Sequence, residues 1–333
     1  MILFIDMVCP KPYSNMTLEK EPLGGTEATV VRVAEALGKT IEDVVVVQHC
    51  RKSPRASNNV IYMPLNFLEI NKVAPTHIIA IRSAASLPVV HEKWPNTKKF
   101  LWMHDIPTSK LLLDIPVLEE CRATILVVSE YHKTNVCSMI LSNIEEKARK
   151  NVLVKRVYNP IDDTLLPDGT KYDKHKLLFL SSPVKGLDNT LACFNRLHVD
   201  NNRYKLFVAN PGYFEDAVVK QDGVTVLGAL PHPEVMRHVR EAMCVFYPNT
   251  VFPETFGLVM AEANAVGTPV IAHDFGAANE VTTKGMGQVF DCRDELEVCR
   301  RVNMWLTDGR PEVSLDDKFR MRNVVEDWKG ILK

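Results

Sequence analysis

Short apolar runs bounded by polar punctuation recur from one end of the chain to the other. In the first half they span 2–8, 44–48, 60–63, 78–81, 100–103, 125–128 and 154–158; in the second half 177–180, 205–209, 224–227, 243–247, 269–272 and 288–290. Near-continuous Val/Ile/Leu runs of this kind suit parallel strands covered on both faces. Helical patterns lie between many of them. Thr26 can cap a helix over 27–37, which keeps Ala28, Val31, Ala34 and Leu37 on one face and meets Gly38 as a stop. The tail from Ser314 also reads as a helix, with Met321, Val324, Val325, Trp328, Ile331 and Leu332 at helical spacing. Alternation of strand and helix predicts an α/β protein.

The 333 residues are enough for roughly two domains at about 150 residues each. Hydrophobic residues make up 46% and charged residues 24%, the balance of a globular chain rather than a disordered one. No apolar run approaches the roughly 20 residues that span a bilayer, and Met1 leads straight into apolar residues without a basic leader. A formal charge of −1 argues against a nucleic-acid binder held by phosphate contacts. The eight cysteines are scattered and form no C-x-x-C, so they read as small core hydrophobes in a reducing, cytoplasmic setting rather than as a zinc or disulfide framework. The best candidate boundary is 162–176, rich in Asp, Pro, Gly and Lys. It leaves two halves with their own strands but no repeat of sequence.

Ligands of open parallel sheets bind outside the carboxyl ends of the strands. Two such domains facing each other put the site in the cleft between them, so residues just after strands carry the interest. Several familiar signals are missing. There is no G-x-G-x-x-G, no G-x-x-x-x-G-K-[ST] loop and no G-x-S-x-G elbow. There is no Asp-x-Asp pair, and no His/Asp/Glu cluster has metal-ligand spacing. The expectation is that protein groups, not a metal, neutralise charge.

The most informative stretch is 252–271. After the strand ending at Tyr247, Pro248 and Pro253 force a loop, and a helix can run from about 256 to 266, stopped by Gly267 and Pro269. Glu254 falls ahead of that helix and Glu262 inside it, with about 7 Å of axial rise from Gly257 to Glu262. The free N–H groups of Phe256, Gly257 and Leu258 would lie between the two carboxylates, at a helix end suited to an anion. Two carboxylates either side of an anion site fit a nucleoside-diphosphate sugar: each carboxylate takes a vicinal diol, and the helix end takes the diphosphate. The plainer alternative for each Glu is an exposed helix face.

Pro253-Glu254-Thr255-Phe256-Gly257-Leu258, then Glu262-Ala263 and Gly267-Thr268-Pro269-Val270, resembles the E-x7-E segment of the group 1 retaining glycosyltransferases (glycosyltransferase family 4, GT-B fold). Other stretches resemble that family's landmarks in the right order. They are Gly24-Gly25-Thr26-Glu27, Val127-Val128-Ser129-Glu130, Val157-Tyr158-Asn159-Pro160-Ile161-Asp162, Lys185-Gly186, Leu227-Gly228-Ala229-Leu230-Pro231-His232-Pro233-Glu234 and Gly276-Ala277-Ala278-Asn279-Glu280. The resemblance implies two Rossmann-like doubly wound domains facing across a cleft. These are an acceptor-side domain over 1–165, a nucleotide-sugar domain over 166–312, and a C-terminal helix over 313–333 packing back on the first domain.

It also implies roles. Glu254 holds hydroxyls of the donor sugar, Glu262 the ribose diol, and Lys185 the diphosphate. The loop around Gly228 and Leu230 meets the base through backbone groups. Gly24 and Gly25 open a helix toward the same diphosphate, and His104, with Asp105 to orient it, approaches the reacting sugar. Glu254, Lys185 and His104 are the catalytic candidates. The family usually has an Arg shortly before the Lys; this chain has Ser181 and Ser182 there, which makes Ser182 a further donor-binding candidate.

The implied reaction is transfer from a UDP- or GDP-linked sugar to a hydroxyl of a glycan, lipid-linked or small-molecule acceptor, with retention and without a metal or other cofactor. Two other classes are weighed against it: a nucleotide-sugar epimerase or hydrolase of the same architecture, and a non-catalytic sugar-nucleotide-binding protein. The basic cluster Lys147, Arg149, Lys150, Lys155 and Arg156 offers a peripheral membrane contact, its plainer reading being a solvated face.

Overall fold

A computed structural model describes residues 1–40, 43–144, 151–210 and 219–333. The chain divides into two compact units. The first comprises Met1–Asn15, Thr26–Pro160 and Met321–Lys333; the second comprises Met16–Gly25 and Ile161–Arg320.

The first unit holds an eight-stranded sheet: β1 (Ile2–Asp6), β2 (Val44–Gln48), β3 (Arg55–Ser57), β4 (Val60–Pro64), β5 (His77–Ile81), β6 (Lys98–Trp102), β7 (Ala123–Val127) and β8 (Val154–Arg156), in the order β3-β4-β2-β1-β5-β6-β7-β8. Every pairing is parallel except β3 with β4. Leu3, Val45, Ile78, Leu101 and Ile125, from five neighbouring strands, lie in one core cluster, as the continuous apolar runs require. The edge strand β3 is the strand that periodicity misses. It has three residues and returns through Asn58 and Asn59, both at positive φ, a turn that Asn tolerates.

The helix after the glycine pair runs over Gly25–Thr40, through Gly38 rather than stopping there. A Cβ on Gly38 would lie 2.7 Å from the carbonyl oxygen of Asn59, so the glycine serves close packing on the β3–β4 turn, not termination.

The second unit holds a six-stranded, wholly parallel sheet: β9 (Asp173–Leu180), β10 (Lys205–Asn210), β11 (Val224–Ala229), β12 (Ala242–Tyr247), β13 (Val270–His273) and β14 (Val289–Phe290), ordered β11-β10-β9-β12-β13-β14. Strand order reverses between β9 and β12, and in the first unit between β1 and β5. Such reversals open a crevice at the carboxyl edge of a parallel sheet.

The division departs from the sequence reading in three places, the first being that Met16–Gly25 belongs to the second unit. The chain enters the second unit at Ile161, ahead of 166, because Ile161 bridges Arg320 and donates its N–H to the Phe319 carbonyl at 2.8 Å. The terminal helix occupies only Met321–Leu332. Ser314 is held out of it in the second unit, exchanging hydrogen bonds of 3.0 and 2.6 Å with the Thr283 hydroxyl. Within the first unit, Trp328 of that helix meets Trp102 edge-on at 4.8 Å and Phe4 at 6.2 Å.

Candidate active site

Four loops of the second unit leave the carboxyl ends of its strands and carry the sequence-derived candidates. The loop after β9 holds Ser182 and Lys185, and ends at Gly186 before a helix over Leu187–Asp200. The loop after β12 holds Glu254 and ends at Gly257 before a helix over Leu258–Ala265. The loop after β13 holds Gly276, and the one after β11 runs through Leu230 to a helix over His232–Glu241. The first two flank the strand-order reversal.

Lys185 Nζ lies 3.0 Å from Oε1 and 3.1 Å from Oε2 of Glu254. The Tyr247 hydroxyl donates to the same Oε1 at 2.8 Å. Burial first, then the Glu254 charge, pushes the Tyr247 phenol well above its ordinary range, so it stays a donor. Asn249 fastens the assembly: its Nδ2 donates to the Tyr247 oxygen at 3.1 Å and the Phe252 carbonyl at 2.6 Å, and its Oδ1 accepts from the N–H groups of Val251 and Phe252. The Lys185 ammonium also lies 4.6 Å from the Phe252 ring centroid.

Two glycines of the motif are explained by close approach. Gly186 has φ of 89°, and a Cβ there would sit 2.8 Å from Asn249 Oδ1. Gly276 has φ of 70°, and a Cβ there would meet the backbone N and O of Glu254, each at 2.6 Å. Gly276 bridges Glu254, and the Ala277 N–H donates to the Glu254 carbonyl at 2.9 Å, which locks the carboxylate's backbone.

Glu262 is nearly buried, and its Oε1 meets His232 Nε2 at 2.9 Å. The helix between the two glutamates begins at Leu258, two residues later than periodicity suggests, because Gly257 at φ of 89° turns the chain into it. The N–H groups at its first turn are therefore those of Leu258 and Val259. Phe256 is a core residue, edge-on to Phe319 at 5.4 Å, so only its backbone is offered to a ligand. Gly25 belongs to the second unit, where a Cβ on it would come 3.0 Å from Leu258 Cδ1; Gly24 beside it is buried. Gly228, at φ of 71°, sits where the β10–β11 register slips, and Leu230 follows it half-buried. The Ser182 hydroxyl is buried and has no hydrogen-bond partner among the described residues.

His104 lies in the first unit, two residues past the end of β6. It is buried, its ring 4.5 Å from that of Trp102. Burial, then the Arg82 and His132 charges, hold its pKa well below the ordinary histidine range, so the imidazole is neutral. Arg82 and His132 are among its electrostatic neighbours, and Asp105 beside it in the chain is exposed. A cavity of about 350 Å³ in this unit is lined by Arg82, His104, Asp105, Lys110 and Asp114, with Met103 and Leu111 among its apolar walls.

Sequence reasoning misses Tyr247, Asn249 and His232 as supporting groups; strand-end or helix-start position was the only available signal. It also misses that Cys9, His49 and Cys50 come together, since cysteines remote along the chain meet across adjacent strands. Of the basic cluster, Lys147, Arg149 and Lys150 lie outside the described residues. Arg156 is engaged with Glu130 at 2.6 Å and stacked over Tyr158. Among the described residues no helix is long and apolar enough to cross a membrane.

Two sheet domains, each with a strand-order reversal in a largely parallel sheet, make this a GT-B fold. Residues 171–322, nearly all of them in the second unit, match the family model described as glycosyl transferases group 1. Solved structures share the fold along nearly the whole chain. Sucrose-phosphate synthase from Thermosynechococcus elongatus superposes with a TM-score of 0.70 at 15% identity, over 99% of this chain and 96% of that one. A UDP-forming α,α-trehalose-phosphate synthase from Burkholderia vietnamiensis gives 0.63 at 11%, over 99% of each. The pneumococcal O-GlcNAc transferase GtfA, solved with UDP and GlcNAc, gives 0.64 at 12%, over 82% of this chain and 60% of that one. Among curated protein sequences none matches the chain.

Proposed function

We propose that the protein transfers a sugar from a nucleoside-diphosphate sugar, UDP- or GDP-linked, to an acceptor hydroxyl with retention at the anomeric carbon and without a metal. The observation that carries this reading is the pair Glu254 and Glu262 on either side of one helix N-terminus, with Lys185 against the first. Glu262 takes the ribose diol and Glu254 the sugar hydroxyls. Lys185, the Ser182 hydroxyl and the N–H groups of Leu258 and Val259 take the diphosphate.

In the transfer, the bond from the anomeric carbon to the phosphate oxygen breaks, and a bond to the acceptor oxygen forms on the same face. The acceptor's proton passes to the departing phosphate oxygen, so no protein nucleophile is needed. The chain supplies positioning and fixed charge: Lys185 and the helix end oppose the negative charge that grows on the diphosphate. The first unit is the acceptor-side domain of this reading, and His104, the candidate for approaching the reacting sugar, serves as a neutral hydrogen-bonding group and not as a cation. Likeness to sugar-phosphate synthases and to GtfA supports a glycan or sugar-phosphate acceptor and a UDP donor.

The test is a thermal-shift panel of nucleoside-diphosphate sugars, followed by transfer to a panel of acceptors and NMR assignment of the product anomer. Retention of the donor's configuration with chelator present is expected. An inverted product, or transfer only with added metal, overturns the mechanism. Epimerisation of the donor without acceptor, or binding without turnover over a broad panel, favours the epimerase or the non-catalytic reading respectively.

A further inference from the structure

Beyond the transfer site, the carboxyl ends of β1 and β2 bring two thiols and an imidazole together. Cys9 Sγ lies 3.0 Å from Cys50 Sγ and 3.6 Å from His49 Nδ1, and the three atoms fall within 4.8 Å of one another. No other described trio of His, Cys, Asp and Glu meets this spacing. Cys9 is buried, Cys50 half-buried and His49 exposed, so one face of the cluster reaches solvent.

The cluster stands on a rigid base. The His49 N–H donates to the Asp6 carbonyl at 3.0 Å, tying the end of β2 to the end of β1. The segment after Cys9 is clamped to the same turn. The Tyr13 N–H donates to Gln48 Oε1 at 3.3 Å, its carbonyl accepts from Gln48 Nε2 at 3.0 Å and Arg51 Nη2 at 2.9 Å, and its hydroxyl donates to Asp6 at 3.0 Å. The Arg51 guanidinium is thereby committed to Tyr13 and Gln48, and does not occupy the space between the sulfurs.

We infer that Cys9, His49 and Cys50 form a zinc site with three protein ligands and a fourth position open to water. Two thiolates and one imidazole suit zinc, and three-ligand sets with an open position are an established zinc geometry. Zinc–sulfur bonds of about 2.3 Å and zinc–nitrogen bonds of about 2.0 Å in a tetrahedron put sulfur about 3.5 Å from nitrogen. The Cys9–His49 separation of 3.6 Å already matches that edge. The sulfur–sulfur edge has to widen from 3.0 Å to about 3.8 Å, which the half-buried Cys50 can provide by rotating about its Cα–Cβ bond. Two thiolates also neutralise the ion, so the filled site brings no net charge to the end of the sheet. The histidine selects this reading over a simple cystine, which has no use for an imidazole beside it.

The experiment loads chelator-stripped protein with zinc, removes the excess, and measures retained metal and melting temperature for the wild type, Cys50→Ser, His49→Ala and the control Cys137→Ser. Expected are retention of one zinc per chain and a zinc-dependent rise in melting temperature for the wild type and the control, with both lost in Cys50→Ser and His49→Ala. Cobalt in place of zinc should show thiolate-to-cobalt absorption and tetrahedral d–d bands in the wild type and the control, and in neither test variant. Zinc retained equally by Cys50→Ser and His49→Ala overturns the site, as does a Cys9–Cys50 disulfide in peptide maps of protein kept under reductant. The two test variants lie at solvent-reaching positions. Their circular dichroism and metal-free melting, expected to match the wild type, show that zinc loss is not misfolding.

Discussion

Lys185 and Glu254 face each other as a partly buried ion pair, with Nζ 3.0 and 3.1 Å from the two carboxylate oxygens. Each group is the other's counter-charge, and on the proposed reading a donor divides them, phosphate drawing the ammonium and sugar hydroxyls the carboxylate. Lys185→Ala should then lower kcat by about 10²–10³-fold, the usual cost of losing one charge-stabilising group. Single-turnover kinetics with saturating donor would check it, and wild-type kcat in the variant would remove Lys185 from the reaction.

Glu254→Ala should cut turnover while leaving affinity for the free nucleoside diphosphate nearly intact, since the proposed partner is the sugar. Calorimetric titration with the diphosphate, set beside turnover, separates the two. Glu254→Gln should keep the Tyr247 hydrogen bond but lose the attraction to Lys185, and so lie between wild type and Ala.

Glu262→Ala should weaken nucleoside diphosphate binding by about 1–3 kcal/mol, the cost of losing hydrogen bonds to a charged group. His232→Ala, which removes the group 2.9 Å from that carboxylate, should cost less, because it only releases the orientation of Glu262. Equal affinity in Glu262→Ala and wild type would refute the ribose assignment.

Gly276→Ala should destabilise the second unit and reduce turnover together. Its backbone at φ of 70° costs a side-chain-bearing residue about 1–3 kcal/mol, and the new Cβ must push the Glu254 backbone away. Denaturant melts and donor titration check the two effects on one sample.

Acid should weaken the first unit through its buried histidines. Burial lowers His132 to about 4, against about 6.5 in an unfolded chain. As pH falls, the unfolded state takes the proton first, so the stabilisation present above pH 6.5 is lost progressively down to about pH 4. His104, held low by burial and by Arg82, acts in the same direction. Unfolding free energies measured from pH 7 to pH 4 should fall on the order of 3 kcal/mol from His132 alone. Loss of that slope in a stably folded His132→Asn variant would confirm its source.

Much of the fold was legible because continuous apolar runs mean strands covered on both faces. All thirteen runs are strands, and only the three-residue β3, too short to show a period, escaped. The acidic pair was legible for a related reason: loop-forming prolines, Gly257 and a helical stretch fix its place after β12 locally. Gly38 misled because the same residue type that ends helices also permits close packing, and only the neighbouring Asn59 carbonyl distinguishes the two.

The sequence alone determined the α/β alternation, the two sheets and the position of Glu254, Glu262 and Lys185 at element ends, since these depend on local periodicity and turn chemistry. The tertiary structure decided what those groups touch: Lys185 against Glu254, Tyr247 and Asn249 behind them, His232 on Glu262, and Cys9 beside Cys50. Tyr247, Asn249 and Glu254 meet within one strand end and its loop, whereas the pairs Lys185–Glu254 and Cys9–Cys50, 69 and 41 residues apart, are brought within reach by strand order and not by spacing.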